Sequence, residues 1–218
     1  MSHLISSVFS SLRNDIILDL NMYPRTVYFM IYEKITERRT IRRFKPKSIP
    51  KKTLERCVNA ARLSPSARNF QPLKFIVVND KALLEKVFPT LKWAGYIPDY
   101  RISDNEVPQA YIVILLDTKI RDEACHDVGI AAMSISMVAS EEGLGSCIMR
   151  AVDRDRLRAI LEISGELRIE LVVSLGYPAH ESKVEEMKGE DVKYWMDEEG
   201  TFHIPKRDLK SILRWNSP

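Results

Sequence analysis

Arg38-Arg39-Thr40-Ile41-Arg42-Arg43-Phe44 places four guanidiniums and a hydroxyl in one short segment, directly after the apolar stretch at residues 27–35. A guanidinium fork gives two charge-assisted hydrogen bonds to an oxyanion, so these residues have the make-up of a phosphate site. Most basic runs are solvated, and on charge alone a basic surface turn is the plainer account. The balance moves with a second stretch, one helix further along: Ser64-Pro65-Ser66-Ala67-Arg68-Asn69-Phe70-Gln71-Pro72. The residue before a proline is pushed out of helical geometry, so Pro65 and Pro72 bracket a loop.

The 218 residues are 45% hydrophobic, enough for one large domain or for a subunit whose core a partner completes. Lys+Arg number 33 against 30 Asp+Glu, so a net charge of +3 carries no nucleic-acid bias and any basic function is local. Cys57, Cys125 and Cys147 are an odd count without a CxxC pair, which points to reduced thiols and a cytoplasmic setting. His3, His126, His180 and His203 are scattered without an HExxH pattern, and no metal is expected. Leu4, Ile5, Val8, Phe9, Leu12, Ile16, Ile17 and Leu20 form a helical stripe interrupted by Arg13, Asp15 and Asp19, with no small-residue cleavage site after it. Residues 1–29 are therefore expected to be an amphipathic helical extension docked on protein, not a signal peptide. The uncharged run at 128–139 is too short to cross a bilayer, and no stable membrane association is expected.

Along the chain, a helix is expected at 26–36 and another after Thr53, where Leu54, Cys57, Val58 and Ala61 recur at helical spacing. The continuous apolar run 75–78 predicts a strand buried on both faces. Residues 81–87 read as a short helix, and 88–109 as an irregular segment whose Trp93, Tyr96 and Tyr100 either pack it down or line a substrate mouth. The strand at 111–116 is the clearest in the sequence. The helix at 126–141 is apolar or small nearly all round, which predicts a central, buried position, with Gly143 placed to end it. A strand at 146–149, a helix capped by Asp153, and a strand at 169–175 ending on Gly176-Tyr177-Pro178 follow. The polar tail 181–200 leads to a final helix opened by Pro205-Lys206-Arg207, with Leu209, Ile212 and Leu213 on one face. No repeat or linker divides the chain, and the alternation of helices with few strands predicts an α+β sandwich around one sheet.

Catalytic side chains are not marked out. Gly143-Leu144-Gly145 follows a helix, and the third glycine of a dinucleotide fingerprint would fall at Ile148. No GxSxG elbow, P-loop or protease-like cysteine is present. A place for a phosphate with no catalytic residue is the pattern of an enzyme whose cofactor carries the reaction.

Five pieces in order resemble the FMN-dependent nitroreductase family over residues 30–218. They are Arg38-Arg39-Thr40-x-Arg42-x-Phe44, Ser64-Pro65-Ser66-Ala67-x-Asn69-x-Gln71-Pro72, Glu142-Gly143-Leu144-Gly145-Ser146-Cys147, Leu175-Gly176-Tyr177-Pro178, and Lys206-Arg207. The resemblance implies a three-layer α/β/α sandwich with a central, mostly antiparallel sheet, in an intertwined homodimer with FMN at the subunit interface. It implies a ping-pong cycle fed by NADH or NADPH that reduces a small-molecule acceptor such as a nitroaromatic or quinone. Arg38, Thr40 and Arg42 would hold the phosphate and its neighbouring hydroxyls, Arg39 would approach by main chain, and Arg207 or Lys206 would close the phosphate. Pro65, Ser66, Ala67 and Asn69 would reach the flavin from the partner, and Ile148 and Met149 would present main-chain groups to the ring. Thr40 replaces the family's usual serine and keeps the hydroxyl; Leu73 stands where tryptophan is frequent; Arg68 occupies a place often neutral and would bring positive charge towards the acceptor. Two alternatives remain: another reaction on this fold, namely dehalogenation, azoline oxidation or flavin fragmentation, or a non-enzymatic basic-patch binding module.

Overall fold

The computed structural model describes residues 31–216, so the expected amphipathic extension at residues 1–29 lies outside the described residues. The chain divides into compact units at residues 1–36 and 37–218. Helix α1 (Ile31–Glu37) supplies the described part of the first, with the Thr36 hydroxyl donating to the Tyr32 carbonyl.

The second unit is built on five strands: β1 (Phe44–Lys45), β2 (Leu73–Val78), β3 (Ala110–Asp117), β4 (Gly145–Met149) and β5 (Leu167–Pro178). They run in the order β1-β5-β3-β2, with β4 also on β5, and every pairing is antiparallel. Four helices accompany them: α2 (Lys51–Leu63), α3 (Lys81–Val87), α4 (Cys125–Glu141) and α5 (Arg154–Ile160). Strand alternation sorts the helices to two faces. Ile112 and Ile114 of β3 pack with Leu54, Cys57 and Ala61 of α2 and with Val128, Ala131 and Ile135 of α4. The intervening Tyr111, Val113 and Leu115 pack with Val87 at the end of α3 and Leu157 of α5. The result is the expected α/β/α layering, and β3 is buried on both faces because both layers cover it.

Asp80 and Asp153 cap α3 and α5, each accepting from a backbone N–H three residues on, so these helix starts are local properties of the chain. Gly143 takes a φ of +72° two residues beyond α4.

Four expectations need correction. Strand β2 is an edge strand with Val77 39% exposed: its apolar run lies where β3 covers one side only. Helix α4 buries Val128, Ala131, Ala132, Ile135, Ser136 and Ala139, while His126, Gly129 and Ile130 are exposed and Met133 and Met137 half-buried, leaving an apolar stripe open in one chain. The polar tail is not featureless. Strands β6 (Ser182–Glu186), β7 (Trp195–Met196) and β8 (Phe202–Lys206) form a second sheet in the order β6-β8-β7. Its register was hidden because its strands are short and mix polar with apolar side chains. Pro205 and Lys206 therefore end a strand, and the last helix, α6, is only Leu209–Ile212. No helix among the described residues is long and apolar enough to cross a membrane.

Candidate functional site

The arginine segment lies along the sheet because two glycines let it. Gly145 and Gly176 are register partners in β4 and β5. A Cβ on Gly145 would stand 2.6 Å from side-chain atoms of Ile41, and one on Gly176 would stand 2.7 Å from Phe44. Ile41 and Phe44 are both buried, so they anchor the segment while Arg38 and Arg39, ahead of them, line a cleft. Hydrogen bonds hold it on both sides: the Ile41 N–H donates to the Ser146 carbonyl at 2.9 Å, and the Ala179 N–H to the Arg43 carbonyl at 3.0 Å. The Arg42 N–H donates to His180 Nε2 at 2.9 Å, and His180 Nδ1 stands 2.8 Å from the Glu181 carbonyl. An Nε2 that accepts and an Nδ1 that donates define neutral imidazole. Burial is the main reason its pKa is lowered; Arg43 and Arg42 push the same way.

A cleft of about 230 Å³ opens here, lined by Arg38, Arg39, Ile41, Ser140, Ser146 and Ser182 among others. Three of its side-chain atoms are buried without a hydrogen-bond partner: Arg38 Nε, Ser146 Oγ and Ser182 Oγ. Arg42, 8% exposed, has its guanidinium 4.4 Å from the Tyr194 ring centroid and 4.9 Å from that of Phe202, and its NH1 is also unpartnered. Burial, then the charge of Arg39, lowers the pKa of Arg38. Buried donors without acceptors are costly, and an oxyanion in the cleft would satisfy them.

Of the residues expected on sequence grounds, Arg38 and Arg39 line this cleft, and Thr40 bridges to Ser146 beside it. Arg39 donates to the Arg38 carbonyl at 2.7 Å. Arg42 is buried against the aromatic rings of the second sheet region. Lys206 and Arg207 do not line the cleft; Arg207 pairs with Glu190 at 3.0 Å. In β4, the Ser146 carbonyl points away from β5 to reach Ile41, and antiparallel alternation turns the main-chain groups of Ile148 the same way. Met149 falls on the opposite parity, its side chain buried with Sδ 3.2 Å from Ser174 Oγ.

The second loop builds a separate feature. A cleft of about 210 Å³ is lined by Pro65, Ser66, Gln71, Lys74 and Asp127 among others. Ala67 and Asn69 sit on the exposed turn beside it. Arg68, Asn69 and Gln71 all take positive φ, at 51°, 57° and 51°. Left-handed backbone at non-glycine residues is strained and persists only where its surroundings impose it. Two bonds do so: Asp127 Oδ1 accepts from the Ala67 N–H at 3.1 Å, and Ser66 Oγ from the Gln71 N–H at 3.0 Å. Asp127 is 3% exposed and its Oδ2 has no partner.

The two clefts share no lining residue. Asp127 in the first turn of α4 borders one and Ser140 in its last turn borders the other, about 20 Å apart at the α-helical rise. Ser182 and Asp127 were not singled out from sequence, and Ser146, within a quoted motif, and His180, among the scattered histidines, were given no site role. Only Asp127 left a signal, as an acid in the first turn of an otherwise apolar helix. Among the described residues no group of three or more His, Cys, Asp and Glu could hold a metal ion.

Comparison with known proteins agrees with this architecture. The family model described as "Nitroreductase family" matches residues 35–177. A protein of Archaeoglobus fulgidus named "Putative NADH dehydrogenase/NAD(P)H nitroreductase" is 32% identical over 155 residues, covering 67% of this chain and 84% of the relative. A protein of Thermotoga neapolitana named "Iodotyrosine deiodinase" is 26% identical over 169 residues, covering 68% and 89%. Among solved structures, an "FMN-dependent Nitroreductase" of Clostridium difficile superposes with a TM-score of 0.55 at 27% identity, covering 72% of this chain and 90% of the other. With most of its sheet, both clefts' principal loops and the arginine segment inside the matched span, this chain belongs to the nitroreductase family.

Proposed function

We propose that the chain is an NAD(P)H-dependent oxidoreductase that works as a homodimer, with FMN held where two copies meet. When bound, FMN supplies the redox chemistry, taking a hydride from NADH or NADPH and passing electrons to a nitroaromatic, quinone or similar small acceptor in a ping-pong cycle. The observation that carries the reading is the set of buried, unpartnered donors Arg38 Nε, Ser146 Oγ and Ser182 Oγ around one cleft. Their chemistry fits a phosphate group: a guanidinium that burial makes harder to keep charged gains most from an anion. Arg42 adds a buried positive charge that acts, with Arg38, on the same Cys147 thiol.

The distance between the clefts supports the proposed dimer. One chain keeps its phosphate-type cleft and its Pro65–Ser66 cleft at opposite ends of α4. A two-fold axis crossing α4 brings the first turn of one copy beside the last turn of the other, and the open apolar stripe of α4 supplies the contact. The open-edge N–H of Ile148 could then stabilise developing negative charge without a titrating side chain.

Protein purified without added cofactor should be yellow and release FMN on denaturation. It should oxidise NADH or NADPH only when a nitroaromatic, quinone or oxygen is present. A colourless protein that takes up no added FMN overturns the reading. Reductive dehalogenation is a second reading, favoured by the Thermotoga neapolitana relative, and anaerobic assays with halogenated phenols separate it.

A further inference from the structure

Phe70 stands 42% exposed beside the Pro65–Ser66 cleft, with Arg68 Cζ 5.7 Å and Arg121 Cζ 5.1 Å from its ring centroid. Among the described residues neither guanidinium has an ion pair; Asp122 and Glu123 follow Arg121 in the chain without reaching it. The cleft wall adds Lys74, also without an ion pair, and Arg62, whose bonds go to the neutral Asn59 amide oxygen at 3.0 and 2.8 Å. The one carboxylate lining that cleft, Asp127, is buried and turned onto the Ala67 N–H, so it holds the loop instead of neutralising the rim. Cations gathered around an exposed ring without acids repel one another unless an anion joins them. The left-handed conformation of Arg68, imposed through Ala67 and Gln71, fixes where its side chain starts.

We propose that this rim reads an oxyanion carried by the planar molecule that reacts at the site: the carboxylate of an aromatic acceptor, or the 2′-phosphate of NADPH. The inference rests on the proposed FMN site, because Arg68 lies between Ser66 and Asn69, the residues expected to reach the ring. The ligand's ring edge rests against Phe70, and its oxyanion takes hydrogen bonds from Arg68 and Arg121.

The test compares wild type with Arg68→Gln and Arg121→Gln in two pairs of ligands, 4-nitrobenzoate against 4-nitrobenzamide and NADPH against NADH. Binding by titration calorimetry is measured beside kcat/KM, so that one readout is independent of turnover. Wild type should favour the charged member of one pair, and each variant should cut that ratio roughly fivefold or more, less at high salt. A collapse in the first pair assigns the oxyanion to the acceptor; a collapse in the second assigns it to the nucleotide. Ratios that move in neither pair overturn the proposal and leave the flavin reading standing. A protein without FMN that keeps its preference for 4-nitrobenzoate overturns the flavin reading and leaves the rim.

Discussion

Arg38 and His180 show how single residues set up the proposed anion site. Arg38 brings a half-buried guanidinium with an unpartnered Nε to a wall that also offers the hydroxyls of Ser146 and Ser182. A charge-assisted hydrogen bond contributes about 1.5–3 kcal/mol, so Arg38→Ala should weaken FMN binding roughly tenfold to a hundredfold. Fluorescence titration of the apoprotein measures this. His180 supports the segment from behind by accepting the Arg42 N–H. Burial first, then the charges of Arg43 and Arg42, hold its folded pKa below the usual 6.5, and protonation would also break that bond. The unfolded chain then binds the proton more readily, so stability should rise with pH up to about 6.5 and fall below it. Urea midpoints followed through that window should show the slope in wild type, and His180→Gln should lose this component.

At the scale of elements, glycine pairing and histidine bridging decide two contacts. Gly145→Ala or Gly176→Ala would drive a methyl into Ile41 or Phe44, both of them buried. Overpacking of this kind costs about 1–3 kcal/mol, and thermal unfolding should show it, accompanied by loss of FMN as the arginine segment lifts. The second sheet is tied by His203, whose Nδ1 meets Glu185 on β6 while Nε2 lies 2.8 Å from Asp197 Oδ2 just after β7. Two carboxylate acceptors call for two ring donors, hence imidazolium, and the Asp197 and Glu185 hydrogen bonds raise the His203 pKa. This contribution is present below pH 6.5 and is lost as pH rises through the raised folded value. Trp195 stacks on the same ring at 3.9 Å between centroids, so its fluorescence should change across that transition. His203→Asn should abolish the change.

The whole molecule presents an open stripe on α4 and two clefts about 20 Å apart along it, which the proposed dimer would join. Sedimentation equilibrium should give a dimer. Ile130→Asp, at a 39% exposed position on that stripe, should shift it towards monomer and release FMN together. A flavin-loaded monomer would refute the shared site.

Local patterns made much of this legible. Continuous apolar runs disclosed β3 and β5, helical spacing disclosed α2, a long run of apolar and small residues disclosed α4, and Asp153 marked the start of α5. The arginine segment was visible because charge density and spacing are written in consecutive residues. The β6-β8-β7 sheet was not, since its strands are short, mixed in polarity and joined in an order that no local pattern encodes. By itself, then, the sequence determined the segments that form β3, β5, α2 and α4 and the dense run of arginines at residues 38–44, because those properties depend on neighbours in the chain. Tertiary structure alone decided that Gly145 and Gly176 pair beneath Ile41 and Phe44, and that Ser146 and Ser182 join Arg38 with unspent donors. It also set Pro65 and Ser66 at the far end of α4. These facts depend on strand register and burial, which arise only when distant parts of the chain pack together.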